Sequence, residues 1–322
     1  MKLLVIGASG FVGNSIPNLK NIEVLGLDRN PLPLGKLGNA YSGFLQADVS
    51  SLTSEEMDLL KKYQPSHIVV LAGIQYTNPI QSRRSRKTAF TENLKIASAG
   101  TQIADSLSSV VHVTYISTDM VYGISPEHPI SEESPTFPIG DYGKSKLGAE
   151  KIFLGCRKKI AIVRPRLIVG DGRLGTIEKL AKIISSGLPI PIIGSGNNRY
   201  QMIGVGDLWG AIIAIVKHES TGVFNVGSSI PPTLNQLFPE LLTTLQLKNK
   251  IVHFPPSIIN FVLMILDYLN ISPLAPEQFL LAAKDIQLDT TKIQKVTGWE
   301  PLQGDTEMLA AAIKQILEQK YL

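Results

Sequence analysis

The sequence is poor in cysteine, and its histidines do not cluster. The single cysteine, Cys156, cannot form an internal disulfide, which fits a reducing compartment. The five histidines lack the spacing of metal ligands, so we expect no metal site. The first predicted strand begins at Lys2, from which we expect no signal peptide and a cytoplasmic location.

Long apolar runs are scarce as well. The apolar stretch 258–269 contains Asn260 and Asp267, and it is shorter than the roughly 20 residues that a membrane span requires. We therefore expect no membrane span and interpret the stretch as a core or interface helix. Peripheral contact with a membrane is the alternative.

Neither sign of charge dominates. A net charge of +4 suits an anionic substrate but is too small to indicate a nucleic-acid partner. The densest basic run, Arg83-Arg84-Ser85-Arg86-Lys87, contains no aromatic residue. We interpret it as the solvated start of a helix rather than a nucleic-acid patch.

Short apolar runs alternate with longer helical patterns over the first half of the chain. This rhythm is typical of an α/β fold, a Rossmann-like doubly wound parallel sheet covered by helices on both faces. Strands are predicted at 2–6, 23–27, 67–71, 110–116 and 160–163. Helices are predicted at 55–63, 83–107 and 142–158, the first with Thr53 and Glu56 spaced as a capping box.

A glycine-rich turn, Gly7-Ala8-Ser9-Gly10-Phe11-Val12-Gly13, follows the first strand directly. Glycines allow a tight turn that brings backbone N–H groups to a pyrophosphate, and the next helix N-terminus adds a favourable dipole. The first gap is one residue longer than in the Gly-x-Gly-x-x-Gly form. The turn predicts a nucleotide site with contacts from Gly7, Ser9, Gly10, Phe11, Val12 and Gly13.

Two acids follow the next strands. Asp28 ends the second predicted strand, where a carboxylate accepts hydrogen bonds from an adenosine ribose and repels a 2′-phosphate. This favours NAD over NADP, although the adjacent Arg29 could instead hold that phosphate. Asp48 is a candidate acceptor for the adenine amino group, with a strand-end cap as the alternative.

The pattern changes after Pro165. Frequent glycine and proline predict loops around one helix at 177–185, then a helix at 207–218 capped by Asp207 and a short strand at 223–226. A length of 322 residues indicates roughly two domains. We predict a dinucleotide-binding domain at 1–165 plus 200–228, and a smaller, mostly helical C-terminal substrate-binding domain at 166–199 plus 229–322.

Tyr142 and Lys146 are four residues apart at the start of a predicted helix, so their side chains share one helix face. A free tyrosine has a pKa of about 10 and is a poor acid or base near neutral pH. A neighbouring ammonium favours the phenolate and lowers that pKa. The pair is therefore a candidate acid/base catalyst.

Together these motifs resemble the extended short-chain dehydrogenase/reductases, and more narrowly the nucleotide-sugar epimerases of the NAD-dependent epimerase/dehydratase group. The resemblance covers nearly the full length. It also includes Ser117-Thr118-Asp119-Met120-Val121-Tyr122-Gly123, Arg164-Pro165 and Gly298-Trp299-Glu300-Pro301. It implies further cofactor contacts at Val49, Leu71, Ala72, Gly73, Asn93, Ser117 and Pro165.

The resemblance also implies the roles at the reacting centre. Tyr142 is expected as the acid/base at the substrate oxygen, Lys146 as a ligand of the nicotinamide ribose, and Thr118 as a hydrogen-bond partner of the same oxygen. Asp119 and Met120 are expected at the substrate. Dehydratases of the family usually carry glutamate where this chain has Met120, so dehydration is disfavoured.

The substrate side is more divergent. Leu167 stands where the best-known sugar epimerases have asparagine, and Arg164-Pro165-Arg166 also resembles hydroxysteroid-dehydrogenase-like relatives. Arg199 lies in a segment that resembles the diphosphate clamp, and an arginine fork suits phosphate. We expect Arg199 and Arg166 at the substrate, with a surface ion pair as the alternative for Arg199.

The resemblance implies an NAD-dependent nucleotide-sugar 4-epimerase similar to UDP-glucose 4-epimerase. The alternative is an NAD(P)-dependent reductase or dehydrogenase of a 4-keto sugar or a hydroxysteroid-like alcohol. A non-catalytic relative would be expected to lack the Tyr142/Lys146 pair. A homodimer through helices 83–107 and 142–158 is also expected.

Overall fold

The computed structural model describes residues 1–75, 82–172 and 175–319. Seven parallel strands form the central sheet in the order β10-β6-β5-β4-β1-β2-β3. These strands are β1 (Lys2–Ile6), β2 (Glu23–Asp28), β3 (Gly43–Gln46), β4 (His67–Val70), β5 (His112–Ile116), β6 (Lys159–Pro165) and β10 (Gly222–Val226). The predicted Rossmann-like α/β fold is confirmed, and all carboxyl ends of the strands lie along one edge.

Helices cover both faces of this sheet. The helices whose apolar side chains pack with this sheet are α1 (Phe11–Asn14), α2 (Ser54–Tyr63), α3 (Arg83–Ser106), α4 (Asp141–Leu154) and α6 (Val205–His218). Neighbouring side chains of β1 face opposite ways, as the strand period requires. Leu3 belongs to the core under α6, and Leu4 belongs to the core under α2, α3 and α4.

The second region has its own apolar core. It is built from α5 (Thr176–Ser185), α7 (Leu234–Thr244), α11 (Asp305–Gln319) and short strands. Two parallel strand pairs were not predicted, namely β7 (Leu167–Val169) with β9 (Met202–Gly204), and β8 (Ile190–Ile193) with β11 (Ile251–Phe254). The remaining helices are α8 (Pro256–Tyr268), α9 (Pro276–Leu281) and α10 (Thr291–Thr297). The exact domain boundaries stay a prediction.

Three local expectations have clear outcomes. The capping box of α2 is confirmed, because Thr53 and Glu56 exchange both hydrogen bonds. The prediction that Asp207 caps α6 was wrong. The helix begins at Val205 after Gly204, and the Asp207 carboxylate accepts from the N–H groups of Leu302 and Gln303. The helix around Tyr142 ends at Leu154, earlier than predicted, and is followed by Gly155.

The apolar stretch 258–269 forms most of α8, and none of the residues of this helix is buried. The core half of the interpretation was therefore wrong, and the interface half stays a prediction. No helix within the described ranges combines the length and apolar character needed to cross a bilayer.

Candidate active site

The glycine turn is shaped by close backbone packing. Gly7 has a φ of +94°, and a Cβ there would lie 2.5 Å from the backbone nitrogen of Ala72. A Cβ on Gly13 would lie 2.3 Å from the carbonyl oxygen of Gly7. At Gly10 the nearest atom would be 3.4 Å away, so this glycine leaves room for a ligand rather than for packing. The next helix, α1, has only four residues, so the N–H groups of the turn matter more than a helix dipole.

Asp28 lies beside this turn. One carboxylate oxygen accepts from the Ser9 N–H at 3.1 Å, and the other accepts from the Asn30 N–H at 2.9 Å. The Ser9 hydroxyl donates to the Asn30 carbonyl oxygen. The acid is thereby fixed at the end of β2, where the ribose of a bound dinucleotide is expected.

The carboxyl ends of β2 and β3 also carry Arg29, Asp48 and Val49. The Arg29 side chain is exposed, and Val49 is buried in the core. Asp48 caps a short 3-10 turn by accepting from the N–H and the hydroxyl of Ser50. These hydrogen bonds lower the pKa of Asp48. The carboxylate therefore caps this turn, and its predicted contact with the adenine amino group stays a prediction.

Leu71, Ala72 and Gly73 follow β4 and pass the glycine turn. The N–H groups of Leu71 and Ala72 both donate to the carbonyl oxygen of Ile6. A Cβ on Gly73 would come within 3.5 Å of both the Asn93 amide oxygen and the Lys146 ammonium. This short segment therefore joins the glycine turn to the Tyr142/Lys146 pair.

Asn93 is buried on α3 and holds that segment in place. Its amide accepts from the N–H of Ile74 at 2.7 Å, and donates to the Ile74 carbonyl at 3.1 Å and to the Ser145 hydroxyl at 2.9 Å. These bonds tie α3, α4 and the β4 edge together. In the described residues Asn93 is engaged with protein groups, so its predicted cofactor contact stays a prediction.

Tyr142 and Lys146 lie one turn apart on α4, as predicted. Lys146 is only 3% exposed, and its ammonium donates to the carbonyl oxygen of Ile116 at 2.6 Å. It also lies 4.4 Å from the centroid of the Tyr115 ring. Burial lowers the pKa of Lys146 to about 7, against an opposing effect of Glu150. Tyr142 is half-buried, which leaves part of its side chain open to a ligand.

The end of β5 brings Thr118 to the same place. Its hydroxyl donates to Asp119 at 3.2 Å and accepts from the Met120 N–H at 3.3 Å, so it caps the turn Asp119–Val121. A Cβ on Gly143 would lie 2.6 Å from the Met120 carbonyl oxygen, so α4 packs directly on this turn. That packing brings the Thr118 and Tyr142 segments together.

Two further predicted residues line the carboxyl edge. Ser117 donates from its hydroxyl to Glu150 at 2.5 Å, and Pro165 is buried at the end of β6. Their predicted cofactor contacts would therefore come mainly from the backbone or from apolar surface.

Asp119 forms a buried ion pair with Arg166 at 2.9 Å. The Arg166 guanidinium also lies 5.5 Å from the ring centroid of Tyr200. Arg199, the residue before Tyr200, is exposed and donates one N–H to the Pro231 carbonyl at 3.1 Å. Arg166 therefore lies against Tyr200, and among the described residues Arg199 forms no ion pair; its predicted contact with the diphosphate stays a prediction.

Glu150 was missed by the sequence interpretation. It accepts from Ser117 and forms a buried pair with Arg164 at 2.7 Å. The Arg164 guanidinium lies 4.8 Å from the ring of Tyr122, whose pKa is raised to about 12, chiefly by burial. The signal was available, because Tyr142, Lys146 and Glu150 repeat at intervals of four on one helix face.

The fold and these side chains define a dinucleotide-binding α/β enzyme with a tyrosine–lysine pair. The chain belongs to the NAD dependent epimerase/dehydratase family, whose family model matches residues 3–227.

Curated relatives differ in how much of their length is matched. The chain is 22% identical over 336 residues to UDP-glucose 4-epimerase of Mycolicibacterium smegmatis. This match covers 98% of both chains. It is 26% identical to N-acetyl-alpha-D-glucosaminyl-diphospho-ditrans,octacis-undecaprenol 4-epimerase of Escherichia coli O157:H7, covering 79% of this chain and 75% of that one. It is also 30% identical to protein y4nG of Sinorhizobium fredii over 217 residues. That match covers 65% of this chain but only 55% of y4nG.

The fold has close counterparts among solved structures. UDP-glucuronic acid 4-epimerase from Bacillus cereus, in complex with NAD, superposes with a TM-score of 0.77 at 18% identity over 100% of both chains. At this identity the likeness shows the fold.

Proposed function

We propose that this protein is an NAD-dependent 4-epimerase of a sugar carried on a diphosphate, with a nucleotide sugar as the leading substrate. The observation that carries the proposal is the position of Lys146. Its buried ammonium is held at the end of β5, one helical turn from Tyr142 and next to the Thr118 segment.

Tyr142 would act at the C4 hydroxyl of the sugar. As a phenolate it takes the hydroxyl proton when the carbon is oxidised, and as the resulting phenol it gives the proton back when the carbon is reduced. In its protonated form, Lys146 favours the phenolate during this exchange. Thr118, which already accepts and donates hydrogen bonds at this position, would orient the same substrate oxygen.

The residues of the carboxyl edge fit a dinucleotide. A Cβ at Gly10 would meet nothing closer than 3.4 Å, unlike Gly7 and Gly13, and the Asp28 carboxylate is fixed beside the turn. Gly7 to Gly13 would hold the pyrophosphate and Asp28 the adenosine ribose. When bound, NAD supplies the hydride acceptor for C4 and returns the hydride within the same turnover.

Elimination of water would need a further acid beside the reacting carbon. Met120, on the turn next to Thr118, has a thioether and no ionisable proton. The adjacent acid, Asp119, is paired with Arg166. This arrangement supports epimerisation over dehydration.

The diphosphate would be bound by arginine. Arg199 is exposed and uses one of its five N–H donors on the Pro231 carbonyl, which leaves donors for phosphate oxygens. The 4-epimerases among the relatives act, by their names, on a nucleoside diphosphate or on a polyprenyl diphosphate. Both carry a sugar on a diphosphate, so the same guanidinium chemistry serves either.

The test is turnover with two substrate arms. Purified protein is incubated with UDP-glucose or UDP-glucuronic acid, and separately with polyprenyl-diphosphate N-acetylglucosamine in detergent. We expect the C4 epimer in one arm, detected by NMR, with no net change in NAD. Stoichiometric oxidation of added NADH or NADPH would instead support the reductase alternative.

A further inference from the structure

Helix α8 presents an apolar surface to solvent. Eight large apolar side chains on α8 and just after it are 45% to 71% exposed: Ile258, Phe261, Val262, Met264, Ile265, Tyr268, Leu269 and Ile271. We call these eight residues the α8 face. At roughly 100 Å² each, they expose on the order of 800 Å², more than the roughly 300–600 Å² of the largest patch on a typical monomer.

The helix is anchored to the rest of the protein by charge. The Arg86 guanidinium, buried on α3, pairs with Asp267 at 2.6 Å. The N–H of Arg83 donates to the Asn270 side chain, and the Arg83 guanidinium lies 5.5 Å from the centroid of the Tyr268 ring. The α8 face is therefore held in a fixed position against the start of α3.

The surroundings of the α8 face are basic. Asp267 is the only acid between residues 251 and 271, and it is neutralised by Arg86. Arg83 is exposed in the first turn of α3, next to Tyr268 and Asn270, and Arg84 and Lys87 are exposed in the first turns of the same helix. An apolar helix face bordered by cations is the arrangement of helices that lie in the interface of an anionic membrane.

We propose that the α8 face docks this protein on the surface of a lipid bilayer that contains anionic headgroups. The apolar side chains enter the boundary between headgroups and acyl chains, and the cations of α3 contact the phosphates. No helix in the described parts of the chain could span a bilayer, so this contact is peripheral.

Charge favours the bilayer over a second copy of the chain. A two-fold interface would bring the same patch of both copies together. Each copy would then present Arg83 to segment 251–271 of the other, in which the one acid, Asp267, is already paired with Arg86. An anionic surface supplies the charge that such a dimer lacks.

Docking would also orient the candidate active site. Arg86 lies 3.7 Å from Asp141, the residue before Tyr142, so the ion pairs that hold α8 also reach the start of the catalytic helix. Resting on the proposed function, docking through the α8 face would therefore bring the start of α4, which carries Tyr142, toward the bilayer.

The test is vesicle flotation with the full chain, without substrate. Vesicles are phosphatidylcholine alone or with phosphatidylglycerol. The variants are Phe261→Ser with Ile265→Ser, Arg84→Glu with Lys87→Glu, and a control, Leu302→Ser, in which an 89% exposed leucine lies outside the α8 face. Circular dichroism and light scattering report folding and oligomeric state.

We expect wild type and the Leu302 variant to float with the anionic vesicles, less so at high salt. Both double variants should bind the anionic vesicles at least about tenfold more weakly than wild type. The Phe261/Ile265 variant loses the burial of two large apolar side chains, and the Arg84/Lys87 variant loses two charge contacts. Absent binding by wild type, or equal binding by the Phe261/Ile265 variant, would overturn the proposal. A wild-type dimer that this variant converts to monomers, with no vesicle binding, would assign the face to a second copy. Because no turnover is measured, the result is separate from the success of the proposed reaction.

Discussion

The ammonium of Lys146 donates a 2.6 Å hydrogen bond to the carbonyl oxygen of Ile116, the last residue of β5. This bond fixes the lysine on the sheet edge where Thr118 follows two residues later. Because the ammonium is buried, keeping it charged costs free energy, and its protonation depends on the groups around it. A lysine held in this way can influence Tyr142 without moving.

The burial of Lys146 predicts a pH-dependent stability. Its pKa falls from 10.5 in the unfolded chain to about 7 in the folded protein. Between these values the unfolded chain binds a proton that the folded protein does not, so this lysine makes the free energy of unfolding rise with pH. From pH 7 to pH 9 the rise should be roughly 2 kcal/mol larger for wild type than for Lys146→Met. Urea denaturation at both pH values measures it, and parallel curves for the two proteins would contradict it.

Removing the Tyr142 hydroxyl should separate chemistry from binding. In Tyr142→Phe we expect turnover to fall by about 10²–10⁴-fold, because the proton at the sugar oxygen loses its acceptor. NAD affinity, measured by calorimetry, should stay close to that of wild type. Tyr268→Phe, an exposed tyrosine on α8, is the matched control and should keep full activity. Equal turnover in both variants would remove Tyr142 from the mechanism.

Asp28 should determine the choice between NAD and NADP. Its carboxylate, held by the N–H groups of Ser9 and Asn30, would repel a 2′-phosphate. In Asp28→Asn we expect the ratio of NADP to NAD affinity to rise about tenfold, as loss of one like-charge contact implies. Asp48→Asn, at the capping acid, should leave the ratio unchanged. Fluorescence titration measures both, and the opposite ranking would assign discrimination to Asp48.

The buried pair of Glu150 and Arg164 should matter for folding. Glu150→Ala leaves the Arg164 guanidinium buried without its partner, which should cost about 3–5 kcal/mol of unfolding free energy. Asp58→Ala breaks the exposed pair with Lys61 and should change stability by less than about 1 kcal/mol. Chemical denaturation compares the two variants. Similar small changes would show that Arg164 finds solvent or another partner.

Much of the first domain was predictable because its strands are buried on both faces. Runs such as Leu3-Leu4-Val5-Ile6 have no polar alternation, and this is typical of parallel sheets between helices. The spacing of Tyr142 and Lys146 was also readable, since one helical turn fixes which residues share a face. Glycines in the first turn were informative because backbone contacts at Gly7 and Gly13 exclude any side chain.

Other features depend on contacts between distant segments, which the spacing of residues in the sequence does not predict. Strands β8 and β11 have four residues each and pair across about sixty positions, so neither is recognisable alone. Asp207 looked like a helix cap, yet it binds the N–H groups of Leu302 and Gln303 from a distant segment. The apolar composition of α8 favoured a buried helix, yet none of its residues is buried. Composition alone does not tell whether another part of the chain covers an apolar helix.

In the proposed reaction, a hydride leaves C4 of the sugar and returns to it. Tyr142, aided by Lys146, moves the proton of the C4 hydroxyl in step with this hydride. Nucleotide sugars deuterated at C4 test this most directly, with products analysed by NMR and mass spectrometry and the cofactor by absorbance. We predict the C4 epimer with its deuterium retained and no net reduced cofactor. Deuterium transferred to free NADH, a product that has lost water, or no conversion of any diphosphate sugar would contradict the account.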